Sequence, residues 1–123
     1  MAQKKLLLIE SDDFYVEIIG TFVKLFLQHD LLAVKTAAEA IDPVRSGSPD
    51  LVLLDLDNGT LEALEFAERM RDDAATKRVP ILALCQSDLR REEALGRGCS
   101  AFLAKPFKVR ELETLIQKLL TLP

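Results

Sequence analysis

Leu51-Val52-Leu53-Leu54 is an unbroken apolar run that stops abruptly at Asp55, and Asn58-Gly59 marks a turn just beyond it. A short segment with apolar side chains on both faces belongs inside a parallel sheet covered by helices on each side. Such sheets gather ligands and chemistry at the carboxyl ends of their strands, which is where Asp55 falls. Any function assigned to this chain has to account for that carboxylate.

The rest of the sequence supplies partners for such a strand. Leu6 to Ile9 reads as a first buried strand ending in Glu10-Ser11-Asp12-Asp13, where Asp12 or Asp13 would cap the next helix. From Phe14 to Gln28, Tyr15, Ile18, Ile19, Phe22, Val23 and Phe26 recur at helical spacing. His29 then falls in a connection, where a solvated loop histidine is expected. Leu31 to Thr36 has one apolar face and one mixed face, the pattern of an edge strand.

Ala37 to Ser46 reads as a short helix, with Pro43 expected to break it or to restart it behind Asp42. Leu61 to Asp72 continues as helix, Val79 to Leu84 as strand and Asp88 to Leu95 as a stunted helix stopped by Gly96 and Gly98. Ala101 to Ala104 is the last strand and Val109 to Leu120 the last helix. Strand and helix alternate with short connections, so the expectation is one domain over residues 1–123. Its fold class is α/β, a doubly wound five-stranded parallel sheet in the flavodoxin-like order 2-1-3-4-5 with helices on both faces.

Composition narrows the function. With 16 Lys and Arg against 20 Asp and Glu, the chain has a formal charge of −4. Its basic residues are scattered, so nothing favours nucleic acid. Cys85 and Cys99 are too few for a disulfide scaffold, and reduced buried thiols are expected. The apolar run after Lys4-Lys5 is too short for a signal peptide, and no run approaches the roughly 18 residues needed to span a membrane. The reading is a cytoplasmic protein with no membrane partner.

In the order 2-1-3-4-5, the connections leaving strands one and three part in opposite directions and open a crevice between them. Glu10 to Asp13, Asp55 and Asp57 would meet there, with Lys105 at the end of strand five able to compensate their repulsion. Oxygen-only ligands suit a hard ion such as Mg²⁺.

Four stretches carry a resemblance in the right order: Leu8 to Asp12, Pro49 to Asp55, Val79 to Leu84, and Phe102-Leu103-Ala104-Lys105-Pro106-Phe107. The chain resembles the receiver domain of bacterial two-component response regulators over residues 4–120. The resemblance implies that Asp55 accepts a phosphoryl group from a sensor histidine kinase or phosphotransfer protein. It implies that Mg²⁺ is held by Glu10, Asp12, Asp55 and the backbone carbonyl of Asp57. It further implies that Lys105 pairs with the phosphoryl group, that the bond before Pro106 is cis, and that Phe102 changes rotamer on activation. The chain carries no catalytic output module, so it would act by docking to a downstream protein rather than as an enzyme.

Two positions depart from the family. Ser11 stands where a second metal-binding carboxylate is expected, which makes the Mg²⁺ site weaker. Cys85 replaces the Thr or Ser of the switch position after strand four, and a thiol is a weak donor. These departures support an alternative, a pseudo-receiver that serves as a phosphorylation-independent protein-interaction module.

Overall fold

The computed structural model describes residues 2–122. Five strands, β1 (Lys5–Ile9), β2 (Asp30–Val34), β3 (Leu51–Asp55), β4 (Ile81–Cys85) and β5 (Ala101–Ala104), form one sheet in the order β2-β1-β3-β4-β5. Every neighbouring pair is parallel. The fold class and strand order match the sequence reading, and β2 lies at an edge with a mostly exposed pattern.

Period-two alternation divides the strand side chains between two cores. Leu7, Ile9, Val52 and Leu54 face α2 (Ala37–Gly47), α3 (Thr60–Asp72) and α4 (Arg91–Gly96), where Ala40, Leu64, Ala67 and Ala94 meet them. Leu6, Leu8, Leu51 and Leu53 face α1 (Asp13–Thr21) and α5 (Val109–Leu120), packing with Ile19, Val23, Leu112 and Ile116. All five residues of β3 are buried. Each fully buried leucine there contributes about 2 kcal/mol relative to an exposed one.

The structure corrects three local expectations. The first helix is not continuous to Gln28: α1 passes at Phe22–Phe26 into a π-helical turn, closed by Leu27 N–H donating to Phe22 O at 3.1 Å. Wider winding breaks the helical stripe. Val23 stays fully buried, whereas Phe26 is 74% exposed.

Pro43 does not break α2, and Asp42 caps nothing. The helix runs from Ala37 to Gly47, capped by Thr36 Oγ1, which accepts from Glu39 N–H at 3.2 Å. Ala40 and Val44, one turn apart on the inner face, are buried and hold the helix to the core despite the donor missing at Pro43. Finally, His29 is buried rather than solvated, because its Nδ1 accepts from Lys4 N–H at 3.0 Å and ties the α1–β2 connection to the start of β1.

The fourth helix is short, a 3₁₀ turn at Asp88–Arg90 followed by the six residues of α4. Among the described residues, no helix is long and apolar enough to cross a membrane.

Candidate functional site

The sheet hydrogen bonding continues one residue past three strands, which fixes the backbone around the crevice. Glu10 N–H donates to Val34 O (3.0 Å), Leu56 N–H to Leu84 O (2.8 Å) and Lys105 N–H to Cys85 O (2.8 Å). Glu10, Asp55 and Lys105 therefore leave the carboxyl edge of the sheet from three rigid strand ends. Their side chains converge.

Lys105 Nζ donates to Glu10 Oε1 at 2.7 Å and to Asp55 Oδ1 at 2.9 Å, and lies 3.2 Å from Asp57 Oδ2. Its aliphatic stem is buried and its ammonium sits 4.2 Å from the centre of the Tyr15 ring, a cation–π contact. Burial alone works against the lysine charge, but the bonds to Glu10 and Asp55 outweigh it and hold the pKa above the ordinary lysine range. The ammonium is thus a permanent charge. Burial also pushes the Glu10 carboxyl above its usual range, helped by the negative Asp55 and opposed by Lys105 and the Asp12 N–H.

Asp55 Oδ1 accepts a second bond, from the Asp57 N–H at 3.0 Å. Its other oxygen accepts none among the described residues, and Asp55 lines a cavity of about 240 Å³ with Ile9, Lys35, Thr36, Asn58 and Gly59. The carboxylate is held by one face and left open on the other, the arrangement a nucleophilic oxygen requires.

Asp57 does more than the sequence suggested. Its Oδ1 accepts from Gln86 N–H at 2.8 Å and from the Cys85 thiol at 3.3 Å. Burial disfavours its charge, yet those donors and Lys105 hold the carboxyl below the usual range, so it is ionised. Burial and the neighbouring carboxylates push the Cys85 thiol upward, which keeps it protonated and able to donate.

The structure therefore brings together Glu10, Asp55, Asp57, Cys85 and Lys105. Asp12 stays outside: its Oδ1 accepts from Phe14 N–H at 2.9 Å and caps α1. Ser11 Oγ accepts from Asn58 Nδ2 at 2.8 Å, a clasp between the β1–α1 and β3–α3 connections. Phe102 is buried, with the Arg91 guanidinium 4.8 Å from its ring centre. The Lys105–Pro106 bond is cis. Sequence reasoning missed Tyr15, the Asn58 clasp, the Gln86 N–H and the bridging role of the Asp57 side chain. Only the residue identities at Asp57 and Asn58 carried a signal.

Residues 6–117 match the family model of the response regulator receiver domain. The chain belongs to that family. The polar-differentiation response regulator DivK of Brucella ovis is 24% identical over 115 residues, which is 91% of this chain and 93% of that protein. A crystal structure of a response regulator from Chloroflexus aurantiacus superposes with a TM-score of 0.91 at 22% identity, covering 98% of this chain and all of that one. The receiver domain of a sensor histidine kinase from Pseudomonas aeruginosa gives 0.87 at 27% identity, covering 97% of this chain and 98% of that chain. That domain has a magnesium ion coordinated in its active site cleft. Receiver domains are signalling modules of two-component systems that work with histidine kinases or phosphotransfer proteins.

As the side chains are arranged, the point where the crevice carboxylates converge is taken by the Lys105 ammonium. Among the described residues, no group of three or more His, Cys, Asp or Glu is placed to hold a metal. The Lys105 ammonium sits between Glu10 and Asp55, Asp12 is turned away into its cap, and Ser11 is engaged with Asn58. The oxygens of the crevice coordinate an ammonium.

Proposed function

We propose that this receiver domain is a cytoplasmic phosphoacceptor: Asp55 takes a phosphoryl group from a phosphohistidine on a sensor kinase or phosphotransfer protein, and the phosphorylated domain docks a downstream protein. The observation that carries the reading is the buried Lys105 ammonium 2.9 Å from Asp55 Oδ1 at the end of the central strand. In the reaction, an Asp55 carboxylate oxygen attacks phosphorus. The new P–O bond forms as the P–N bond breaks, and the partner's imidazole leaves with the electron pair.

Charge is the main obstacle, since an anion must approach an anion. Lys105 offsets it without reorganising, because it is already charged, desolvated and aimed at the acceptor. The Gln86 N–H and the Cys85 thiol, bonded to Asp57 in this structure, are further donors at the end of β4. No step is assigned to a metal.

The test is incubation with acetyl phosphate in magnesium-containing buffer, followed by intact mass of the parent and of Asp55→Asn. A single phosphoryl adduct on the parent that is missing from the variant supports the reading. No adduct on either, with partner binding unchanged by Asp55→Asn, supports a phosphorylation-independent interaction module instead.

A further inference from the structure

The acceptor carboxylate is not the best-supplied oxyanion in the crevice. Asp57 is. Its two oxygens collect the Gln86 N–H at 2.8 Å, the Cys85 thiol at 3.3 Å and the Lys105 ammonium at 3.2 Å. These three donors come from the ends of two different strands, β4 and β5, and they converge on a point beside Asp55. The Asp57 backbone N–H, meanwhile, donates to Asp55 Oδ1 at 3.0 Å, so the acceptor and this carboxylate are held on adjacent sides of one site. The Asp57 side chain is 26% exposed, against 4% for Asp55, and so stands at the mouth of the crevice.

A phosphoryl group on Asp55 is itself an oxyanion, one anhydride P–O bond beyond the acceptor, and needs converging donors of this kind. The structure offers one such set next to Asp55, and it is already occupied. The Asp57 carboxylate and a phosphoryl group cannot both take the Gln86 amide and the Cys85 thiol at contact distance without strong repulsion. We infer that the Asp57 carboxylate is an internal stand-in for the phosphoryl group, seated on the donors that the acyl phosphate needs, so that phosphorylation of Asp55 requires Asp57 to be displaced.

This inference rests on the phosphoacceptor reading of Asp55. It has two consequences. Phosphorylation is slowed by a competitor that is always present at the site. The unphosphorylated chain also keeps the end of β4 drawn toward β3 and β5, because Cys85 and Gln86 are already bound to an anion. Exchange of one anion for the other then moves the Asp57 side chain outward, with smaller motion in β4.

The experiment compares parent, Asp57→Ala and Asp57→Asn for their rates of phosphorylation by acetyl phosphate in magnesium-containing buffer, followed by intact mass. Asp55→Asn is the control, and the thermal midpoint of each protein verifies folding. Releasing charge-assisted bonds of this type raises the rate about 10-fold or more in Asp57→Ala. Asp57→Asn, which keeps an acceptor but loses the charge, falls between.

Structural damage lowers such a rate and does not raise it. A second readout is the amide resonance of Gln86 on titration with fluoroberyllate, a phosphoryl mimic: its half-saturation falls by a similar factor in Asp57→Ala. Equal or lower rates in both variants, with the parent phosphorylated on Asp55, overturn the stand-in role and leave the acceptor reading intact. Failure of all three proteins to gain an adduct or to bind fluoroberyllate overturns both.

Discussion

Replacing Lys105 with methionine removes one ammonium and leaves Glu10 and Asp55, which are 1% and 4% exposed, facing each other without a counter-charge. Methionine fills much the same volume as the lysine stem and keeps contact with Tyr15, so the cavity contribution is small. The electrostatic loss dominates. Breaking a buried ion pair by deleting one partner costs about 3–5 kcal/mol, because the orphaned charge cannot regain its water. For a domain of this size that lowers the thermal midpoint by on the order of 10 °C.

The cost depends on pH, and its sign follows from linkage. Without Lys105, the folded Glu10 carboxyl loses the partner that opposed its upward shift, and its pKa rises further above the unfolded value, in the direction burial already pushes it. A raised carboxyl pKa means that the folded state binds protons more tightly, so the variant regains stability as pH falls through that pKa. Urea unfolding of parent and Lys105→Met at about pH 7 and about pH 5 measures the difference. The gap is expected to be largest near neutrality and to narrow in acid. A loss below about 1 kcal/mol at neutral pH, as for a surface pair, or a gap that widens in acid, would refute the description of Lys105 as the compensating charge of a buried cluster.

Other substitutions probe the fold. Val23→Ala, at a fully buried position in the π-helical turn, costs about 2 kcal/mol, whereas Phe26→Ser, 74% exposed, stays within about 0.5 kcal/mol in the same denaturation assay. Gly98 has φ of 114° and a Cβ there would lie 3.0 Å from Arg71 Cγ and 3.2 Å from Ala67 O, so Gly98→Ala destabilises by about 2 kcal/mol. Burial pushes the Cys99 thiol up to about 11 from 9.0, so the unfolded thiol ionises first. Stability is therefore lost as pH climbs between those values, by up to about 3 kcal/mol. Cys99→Ala abolishes that alkaline loss, which denaturation across the range detects.

The architecture was legible because its determinants are local. The apolar run Leu51–Leu54, the matching runs in β1 and β4, and helical patterns between them admit few arrangements other than a doubly wound sheet. Asp55 and Lys105 were legible for a related reason: each ends a strand, and topology puts those ends on one edge.

What was not legible depends on contacts between distant residues. His29 is buried because Lys4, 25 positions earlier, donates to it. Pro43 stays within a helix because Ala40 and Val44 hold the surrounding turns to the core. The role of Asp57 was read as a backbone carbonyl, since the sequence does not reveal that Cys85 and Gln86, from another strand, turn toward its side chain. The Ser11–Asn58 clasp, spanning 47 positions, is of the same kind.

The central claim is that the carboxylate at the tip of β3 is the residue that carries the phosphoryl group. Borohydride reduction converts an aspartyl phosphate to homoserine, and peptide mass mapping then locates it. After treatment with a phosphohistidine-bearing partner or acetyl phosphate, the account predicts homoserine at position 55 and at no other aspartate. Homoserine at position 57 or 12, or none in a protein shown to carry phosphate, contradicts it.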